Sequence, residues 1–197
     1  MKFITFEGPE GSGKTTLSRM LHQHLQESGK PSVITREPGG PKEAEIIRKI
    51  LIEKHNFLPE SELLLFNAAR LEHWKKFIQP NLDNGNIVIC DRFLDSTVAY
   101  QGYGLGIDIG LIHQLHNLFM PKAHPDITFL LMLDPEEGLR RAKEKNHYEL
   151  LPTDFHKKVH GGFVEISKQK RVVVIDATLP LQRCFDNIID VVKTAVI

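Results

Sequence analysis

The stretch that most constrains this chain is "GPEGSGKT", Gly8 to Thr15, which matches the pattern G-x-x-x-x-G-K-[S/T]. It follows "KFITF", residues 2–6, which is typical of a short strand, and it leads into an apolar helical pattern that begins at Lys14. A strand, a glycine turn and a helix N-terminus point several backbone N–H groups into one concavity, which binds phosphate oxygens. The sequence therefore predicts a nucleotide-phosphate site rather than a glycine turn without a ligand.

Two side chains of this loop extend the prediction. Lys14 supplies a positive charge for the outer phosphates, and the Thr15 hydroxyl can ligate Mg²⁺. The glycine pattern with lysine and threonine thus predicts a loop that holds both a phosphate chain and its metal ion.

Charge and cysteine content limit the remaining function classes. The chain has 25 basic and 25 acidic residues, so its net charge is zero, which argues against a general nucleic-acid or membrane-surface binder. Cys90 and Cys184 lack metal-binding spacing, and Cys90 ends an apolar run, so we interpret Cys90 as a small buried side chain. An acidic residue at position 7 argues against a signal peptide, and no apolar run approaches 18 residues, so we expect a cytoplasmic protein.

Apolar, β-branched runs alternate with helical patterns along the chain. Predicted strands are 2–7, 32–36, 86–90, 127–133 and 171–175, and predicted helices are 14–28, 42–54, 60–78, 94–102, 108–119, 135–145, 153–168 and 179–194. This alternation predicts an α/β fold, a five-stranded parallel sheet flanked by helices, in one domain of 197 residues. Ligands of such sheets bind beyond the carboxyl ends of the strands.

Polar residues follow three of these strands. The second strand ends in Arg36 and is followed by Glu37, Asp91-Arg92 follows the third strand, and Asp134 follows the fourth. Either aspartate could be the metal-side carboxylate, and we favour Asp91 because an arginine follows it at once. Asp134 precedes a proline and is typical of a helix N-cap.

Several arginines are placed where a second phosphate could bind. Arg36, Arg48, Arg70 and Arg92 all belong to the predicted sheet edge or the helices beside it. Planar guanidinium groups bind phosphate bidentately, and several of them in one cleft of a neutral protein indicate an anionic ligand.

Two further patterns suit a planar base. Phe66 and Arg70 are four residues apart on a predicted helix, so the ring can stack on a base while the arginine contacts a carbonyl. In a helix over 94–102, Thr97, Tyr100 and Gln101 share one face, and the amide can pair with the N3–H and carbonyls of a pyrimidine.

These motifs together resemble bacterial thymidylate kinases. The resemblance rests on "FEGPEGSGKTT", "REPGG", "ELLLFNAAR", "DRFLDSTVAYQGYG", "LDPEEGLRRA" and "VVVIDA", in that order, and it covers nearly the whole chain. It implies a P-loop nucleoside monophosphate kinase fold with a mobile lid, here about residues 141–153. It also implies transfer of the γ-phosphate of ATP to dTMP, giving dTDP for dTTP synthesis, with Mg²⁺ and as a homodimer.

On the ATP side, the resemblance implies a set of loop contacts and a lid contribution. The loop residues that would hold ATP are Gly8, Pro9, Glu10, Gly11, Ser12, Gly13, Lys14, Thr15 and Thr16. Arg141 would lie against adenine. The implied catalytic residues are Lys14, Asp91, Arg92 and Lys145, and Thr15 with Asp91 would hold the metal.

On the phosphate side of dTMP, the resemblance implies a second group of contacts. Arg36 and Arg92 would bind the phosphate, and Arg48 would line the pocket. Glu10 would contact the sugar 3′-hydroxyl, and Glu37 would lie near the metal.

At the base of dTMP, the resemblance matches the two patterns above. Phe66 would stack on thymine and Arg70 would bind its O4, while Thr97 and Gln101 would read the base. Tyr100 would crowd the sugar 2′ position and select deoxyribose.

The chain departs from the family pattern in two places. "GGPKEA", residues 39–44, replaces the usual "GGTPLG". In the lid, two arginine positions are Lys143 and Lys145, and the arginine of D-R-F-E is His147. Because Gly11 leaves no arginine inside the loop, we expect Lys145 to stabilise the transferring charge, at a lower turnover than an arginine, which contributes about 10³–10⁵ in rate.

Other classes of P-loop protein fit the sequence less well. A GTP switch would need N-K-x-D, and an ABC-type ATPase would need a signature such as L-S-G-G-Q; neither motif occurs in the chain. A kinase for another nucleoside monophosphate or for a deoxynucleoside would leave "REPGG" unexplained. A catalytically inactive nucleotide-binding module also stays open, because the lid is altered.

Overall fold

The computed structural model describes residues 2–53, 56–141, 148 and 150–195. Its strands are β1 (Phe3–Glu7), β2 (Ser32–Arg36), β3 (Ile87–Asp91), β4 (Ile127–Met132) and β5 (Val172–Asp176). Its α-helices are α1 (Lys14–Glu27), α2 (Lys42–Ile52), α3 (Pro59–His73), α4 (Gln79–Asp83), α5 (Leu94–Thr97), α6 (Ile109–Phe119), α7 (Pro135–Arg141), α8 (Thr153–Ile166) and α9 (Leu181–Ala195). Two π-helical segments, Trp74–Ile78 and Val98–Gly104, follow α3 and α5.

The strands form one parallel sheet in the order β2-β3-β1-β4-β5. Each predicted strand is present, with ends that differ by one residue at most from those predicted. The predicted α/β class with a five-stranded parallel sheet is confirmed. The central strands β1 and β3 are buried along their whole length because helices cover both faces of the sheet, whereas the edge strand β5 is partly exposed.

Alternate residues of the strands build two cores, one on each face of the sheet. On one face, Phe3, Val88 and Leu130 pack with side chains of α3, α6 and α8. On the other face, Phe6 and Phe129 lie beneath α1 and α9. Adjacent residues of one strand therefore serve different layers, as the period of two requires.

Two predicted helices are wrong as continuous α-helices. The pattern over 60–78 ends as an α-helix at His73 and widens into a π-helical turn, because Pro80 has no N–H to donate to the turn before it. The pattern over 94–102 is α-helical only to Thr97 and then π-helical to Gly104. Such wide turns occur frequently at functional sites.

Strand β1 lies in the middle of the sheet, with β3 on one side and β4 on the other. The register pairs Phe6 with Asp91 and Glu7 with Leu130, so the carboxyl ends of these three strands meet at one edge. That edge is where a parallel sheet places its ligands. Within the described ranges, no helix is both long enough and apolar enough to cross a membrane.

Candidate active site

The loop between β1 and α1 is held close to two neighbouring segments. Gly8 has φ 135° and Gly11 has φ 72°, conformations that glycine adopts without strain. A Cβ at Gly8 would lie 2.3 Å from the Leu131 carbonyl oxygen, and one at Gly11 would lie 2.3 Å from the Gly138 carbonyl oxygen. The glycines therefore let the loop approach β4 and α7 backbone to backbone.

Lys14 begins α1 and lies buried inside the loop. Its ammonium group donates to the Pro9 carbonyl oxygen at 2.6 Å, and that carbonyl also accepts from the Ser12 hydroxyl at 2.8 Å. Burial and the nearby Arg92 guanidinium lower the pKa of Lys14 to about 8. A phosphate oxygen in the loop would offset both effects, so the site is one that an anion stabilises.

Thr15 and Asp91 form the polar pair expected beside a metal ion. The Thr15 hydroxyl donates to Asp91 Oδ2 at 2.5 Å, although the two residues are 76 positions apart in the chain. Asp134, the alternative carboxylate, instead accepts from the Glu136 N–H at 2.9 Å and caps α7, as its proline neighbour predicts. The geometry therefore brings Asp91, and not Asp134, to the phosphate loop.

Arg92 follows Asp91 in a left-handed backbone conformation, with φ 69°. Its guanidinium donates to the Gly8 carbonyl oxygen at 3.2 Å and to Glu10 Oε2 at 2.8 Å, and it lies 5.3 Å from the centroid of the Tyr100 ring. Burial opposes its charge, but Tyr100, Glu10 and Asp91 together hold the pKa of Arg92 above its ordinary value. The arginine is thus a permanently charged group at the junction between the loop and the rest of the cavity.

A buried carboxylate that we did not predict supports this arginine. Glu7, the last residue of β1, accepts from the Phe93 N–H at 2.7 Å and from the Ser96 hydroxyl at 2.5 Å, and Ser96 Oγ in turn lies 3.0 Å from Arg92 Nη1. Burial and the nearby Asp95 carboxylate raise the pKa of Glu7 to about 7. An acid at the end of an otherwise apolar strand, directly before the glycine loop, was the signal in the sequence.

Arg70 is fully buried and is fixed by four contacts. Nε donates to Glu37 Oε2 at 2.7 Å, and Nη2 donates to the Thr97 hydroxyl at 2.8 Å and the Phe93 carbonyl oxygen at 3.2 Å. The guanidinium also lies 5.2 Å from the centroid of the Phe93 ring. Nη1 is buried without a hydrogen-bond partner within the described part of the chain, and Arg70 lines the cavity.

Each carboxylate oxygen of Glu37 already has a partner, one Arg70 and the other His73. Its other oxygen, Oε1, lies 3.0 Å from His73 Nδ1. Burial would raise the pKa of Glu37, but Arg70 and His73 lower it below its ordinary value. The described geometry therefore gives Glu37 the role of holding Arg70, and its predicted nearness to a metal stays a prediction. His73 was not predicted, and nothing in its spacing marked it.

Arg36 and Arg48 extend the positive lining. Arg36 is half exposed and contacts Glu45 at 3.0 Å, and Arg48 donates to the Pro38 carbonyl oxygen at 2.7 Å. Partial burial and the neighbouring Arg36 lower the pKa of Arg48. Two guanidinium groups that oppose each other's charge favour an anion between them.

On the donor side, Arg141 lies at the end of α7 beside the loop. Its Nη1 donates to the Ala177 carbonyl oxygen at 2.9 Å and its Nε to Glu137 at 2.6 Å, while the side chain still lines the cavity. Lys145, the predicted catalytic lysine of the lid, lies outside the described residues, as do Lys143 and His147.

The loop residues Lys14 and Thr15, the arginines and Asp91 line one open cavity of about 590 Å³. The predicted site residues that line it are Glu10, Gly11, Gly13, Lys14, Thr15, Thr16, Arg36, Glu37, Arg48, Phe66, Arg70, Asp91, Arg92, Thr97, Tyr100, Gln101 and Arg141. Gly8, Pro9 and Ser12 shape the loop behind this surface. Ser96 and Tyr148 also line the cavity and were not predicted. One space therefore joins a phosphate loop, an arginine cluster and an aromatic pocket.

The chain is similar to known proteins over most of its length. The family model described as thymidylate kinase matches residues 6–188. A thymidylate kinase of Wolbachia pipientis from Culex pipiens is 50% identical over 197 residues, which is 97% of this chain and 95% of that protein. A thymidylate kinase of Rickettsia africae is 44% identical over 182 residues, 90% of this chain and 89% of the relative.

A solved structure shows the same likeness in three dimensions. The crystal structure of thymidylate kinase from Ehrlichia chaffeensis superposes with a TM-score of 0.80 at 41% identity, over 97% of this chain and 98% of that one. The match extends over nearly the full length of both chains. The chain belongs to the thymidylate kinase family, whose members phosphorylate dTMP to dTDP with ATP.

Proposed function

We propose that this chain transfers the γ-phosphoryl group of Mg²⁺-bound ATP directly to the phosphate of dTMP, for dTTP synthesis. The observation that carries the proposal is the single cavity that the phosphate loop shares with Arg70, Arg92 and Phe66. A phosphoryl acceptor in the arginine cluster would lie in the same space as a donor in the loop. No covalent enzyme intermediate is needed, because positioning and charge stabilisation account for most catalysis of this kind.

The donor end is built by the loop and by α7. The backbone N–H groups of the loop and the Lys14 ammonium would bind the phosphate chain, and Lys14 is already held in the concavity by Pro9. Arg141 would lie against the adenine ring from α7. These groups would hold ATP in one orientation and leave its terminal phosphate facing the rest of the cavity.

The Thr15–Asp91 pair fits Mg²⁺. Hydroxyl and carboxylate oxygens are ligands that Mg²⁺ prefers, and the ion usually keeps few protein ligands beside its waters and the substrate phosphates. Among the residues that the structure describes, no cluster of three or more acidic, histidine or cysteine ligands offers an alternative metal site. When bound, Mg²⁺ would neutralise charge on the phosphates of ATP.

The acceptor phosphate belongs with the arginines. Arg92 is 19% exposed and is fixed by Gly8 and Glu10, whereas Arg36 is half exposed and pairs only with Glu45 within the described part of the chain. Arg92 would therefore set the position of the phosphate, and Arg36 would close on it from the solvent side. Glu10 would contact the sugar 3′-hydroxyl next to this phosphate.

The acceptor base belongs with the aromatic pocket. Phe66 is partly exposed into the cavity, and the unpaired Nη1 of Arg70 is a donor that suits the O4 carbonyl of thymine. Thr97 and Gln101 would face the N3 side of the base, and the Tyr100 ring would crowd the sugar 2′ position. A substrate without the carbonyl would leave a buried guanidinium nitrogen unpaired, which is costly.

The same proposal includes the lid, the oligomeric state and the location of the protein. The chain would act as one domain with a lid over residues 141–153, where Lys145 would stabilise the transferring charge.

A homodimer is supported by exposed apolar side chains on α6, Leu118 at 71% and Phe119 at 51% exposure. A cytoplasmic location is supported by two free, buried cysteines, Cys90 and Cys184.

The test is ADP release from Mg²⁺-ATP in the separate presence of dTMP, dUMP, dCMP, dGMP, AMP and UMP. We expect turnover to be largest with dTMP and to disappear in the Lys14→Ala variant, which controls for a contaminating kinase. Preference for another monophosphate would overturn the base assignment. Release that does not depend on any acceptor would overturn the transferase proposal.

A further inference from the structure

The amide nitrogen of Gln101 donates to two neighbours, the buried Glu62 and the half-buried Tyr148. Nε2 donates to Glu62 Oε1 at 2.8 Å and to the Tyr148 hydroxyl at 3.1 Å. The Tyr148 hydroxyl itself donates to the same Glu62 oxygen at 2.6 Å. We call Glu62, Gln101 and Tyr148 the amide triad.

The direction of every hydrogen bond in the amide triad is fixed by Glu62. A carboxylate can only accept, so both the amide and the phenol must donate to it. The phenol then has its hydrogen on Glu62 and can only accept from the amide. Burial and the Glu62 carboxylate raise the pKa of Tyr148 well above its ordinary value, so the phenol keeps the proton that this arrangement requires.

This order fixes the amide nitrogen toward Glu62 and Tyr148, so the amide oxygen is the atom that can accept a hydrogen bond from a ligand. Gln101 is 1% exposed and lines the cavity, and within the described residues no donor is hydrogen-bonded to its Oε1. If the amide were rotated by 180°, its oxygen would face Glu62 and the amide would lose two hydrogen bonds. The amide triad therefore orients Gln101 with its Oε1, a hydrogen-bond acceptor, toward the cavity.

The aromatic ring of Tyr148 is held by ring contacts that do not involve its hydroxyl. The ring stacks on Phe155 with 6.4 Å between centroids and meets the Tyr100 ring edge-on at 5.6 Å. Removal of the hydroxyl alone should therefore leave the ring in place and weaken only the hold on the amide.

We propose that Glu62 and Tyr148 are specificity-positioning residues, which fix the Gln101 amide with its oxygen toward the base and so select a pyrimidine that carries a hydrogen on N3. Thymine and uracil have this hydrogen, whereas N3 of cytosine is an acceptor and would face another acceptor. The unpaired Arg70 Nη1 adds the same selection at position 4, because it suits a carbonyl and opposes an amino group. This inference rests on the proposed function and names how the acceptor base is chosen.

The test compares kcat/KM for dTMP, dCMP and dUMP in the wild-type protein and in Glu62→Gln and Tyr148→Phe. The amide that Glu62→Gln introduces could donate as well as accept, so the amide of Gln101 would lose its fixed direction. We expect the dTMP:dCMP ratio to fall about tenfold or more in Glu62→Gln and about threefold or more in Tyr148→Phe. The dTMP:dUMP ratio should stay within about twofold, because both bases carry the N3 hydrogen and the O4 carbonyl.

Matched controls are Glu60→Gln, at an exposed position of α3, and Tyr103→Phe, whose ring packs on Gly162. Both should keep both ratios at the wild-type values. Unchanged dTMP:dCMP ratios in folded Glu62→Gln and Tyr148→Phe would overturn the inference. A parallel fall of both ratios would also overturn it, since that result indicates a loosened pocket rather than a rotated amide.

The two proposals fail in different ways. If the wild-type protein does not phosphorylate dTMP, the proposed function is wrong. If it does so and the variants select among the bases as the wild type does, only the role of the amide triad is wrong. A melting temperature for each variant shows that it is folded, and Tyr148→Phe decides the question if Glu62→Gln unfolds below the assay temperature.

Discussion

Replacement of Arg70 by lysine should weaken both the fold and the acceptor pocket. The guanidinium holds Glu37, Thr97 and the Phe93 carbonyl with two nitrogens, and its third nitrogen is buried with no hydrogen-bond partner among the described residues. A lysine ammonium is a single point on a flexible stem and cannot reach these positions together. It keeps the positive charge beside Glu37, so the carboxylate is not left wholly uncompensated.

The expected cost follows from these contacts. Hydrogen bonds to charged groups contribute about 1.5–3 kcal/mol each, and loss of one partner of a buried ion pair costs about 3–5 kcal/mol. Because lysine retains the charge, we expect a loss of about 2–3 kcal/mol in the free energy of unfolding, or about 5–10 °C in the melting temperature. Loss of the donor for O4 should raise KM for dTMP about tenfold or more, with a smaller change in KM for ATP.

Urea unfolding and steady-state kinetics measure the two effects separately. Arg19→Lys, the same substitution at an exposed position of α1, is the matched control and should stay within about 0.5 kcal/mol of the wild type. An Arg70→Lys protein with wild-type stability and an unchanged KM for dTMP would refute the reasoning, because the four contacts would then carry no energy.

Three other residues lead to predictions of their own. Glu7 titrates near 7 in the folded protein and near 4.5 when unfolded, so its contribution to stability is complete below pH 4.5 and is lost as the pH rises through 7. In urea unfolding, Glu7→Gln should therefore gain about 2.5 kcal/mol relative to the wild type between pH 5 and pH 8, and equal differences at both pH values would contradict this. Gly138→Ala places a Cβ 2.6 Å from the Glu10 carbonyl oxygen and should cost about 1–3 kcal/mol by thermal unfolding and weaken ATP binding. Gly161→Ala, with nothing within 4 Å of its Cβ, is the control and should do neither. Lys145→Arg should raise kcat in the steady-state assay, and a rate no higher than that of the wild type would count against a charge-stabilising role of this residue.

The strands could be predicted because their signals are local. Each strand is a short run of apolar and β-branched residues, and every predicted start coincides with the observed one or lies one residue before it. The π-helical turns could not be predicted, because the predicted helices over 60–78 and 94–102 keep an α-helical residue pattern where the turns begin. The turn at Trp74–Ile78 depends on the missing N–H of Pro80, which lies beyond the turn itself.

The candidate site could be predicted only where a residue follows a strand or belongs to a motif. Asp91 and Arg92 satisfy both conditions. Tyr148 satisfies neither, and Glu62 begins the motif "ELLLFNAAR" without any role that the motif indicates, since the roles of both residues arise from contacts with Gln101 across 47 and 39 residues of chain. Such contacts depend on how α3 and Tyr148 pack against the π-helical segment Val98–Gly104, which no spacing in the sequence expresses.

The central claim is that one cavity holds both nucleotides, so that the phosphoryl group passes to dTMP and not to water. Incubation with γ-³²P-labelled ATP and an equimolar mixture of dTMP and dCMP tests it most directly, with separation of the labelled products. We predict that the label appears in dTDP, with little in dCDP and little in inorganic phosphate. Label that accumulates mainly as inorganic phosphate, whether or not dTMP is present, would contradict the claim.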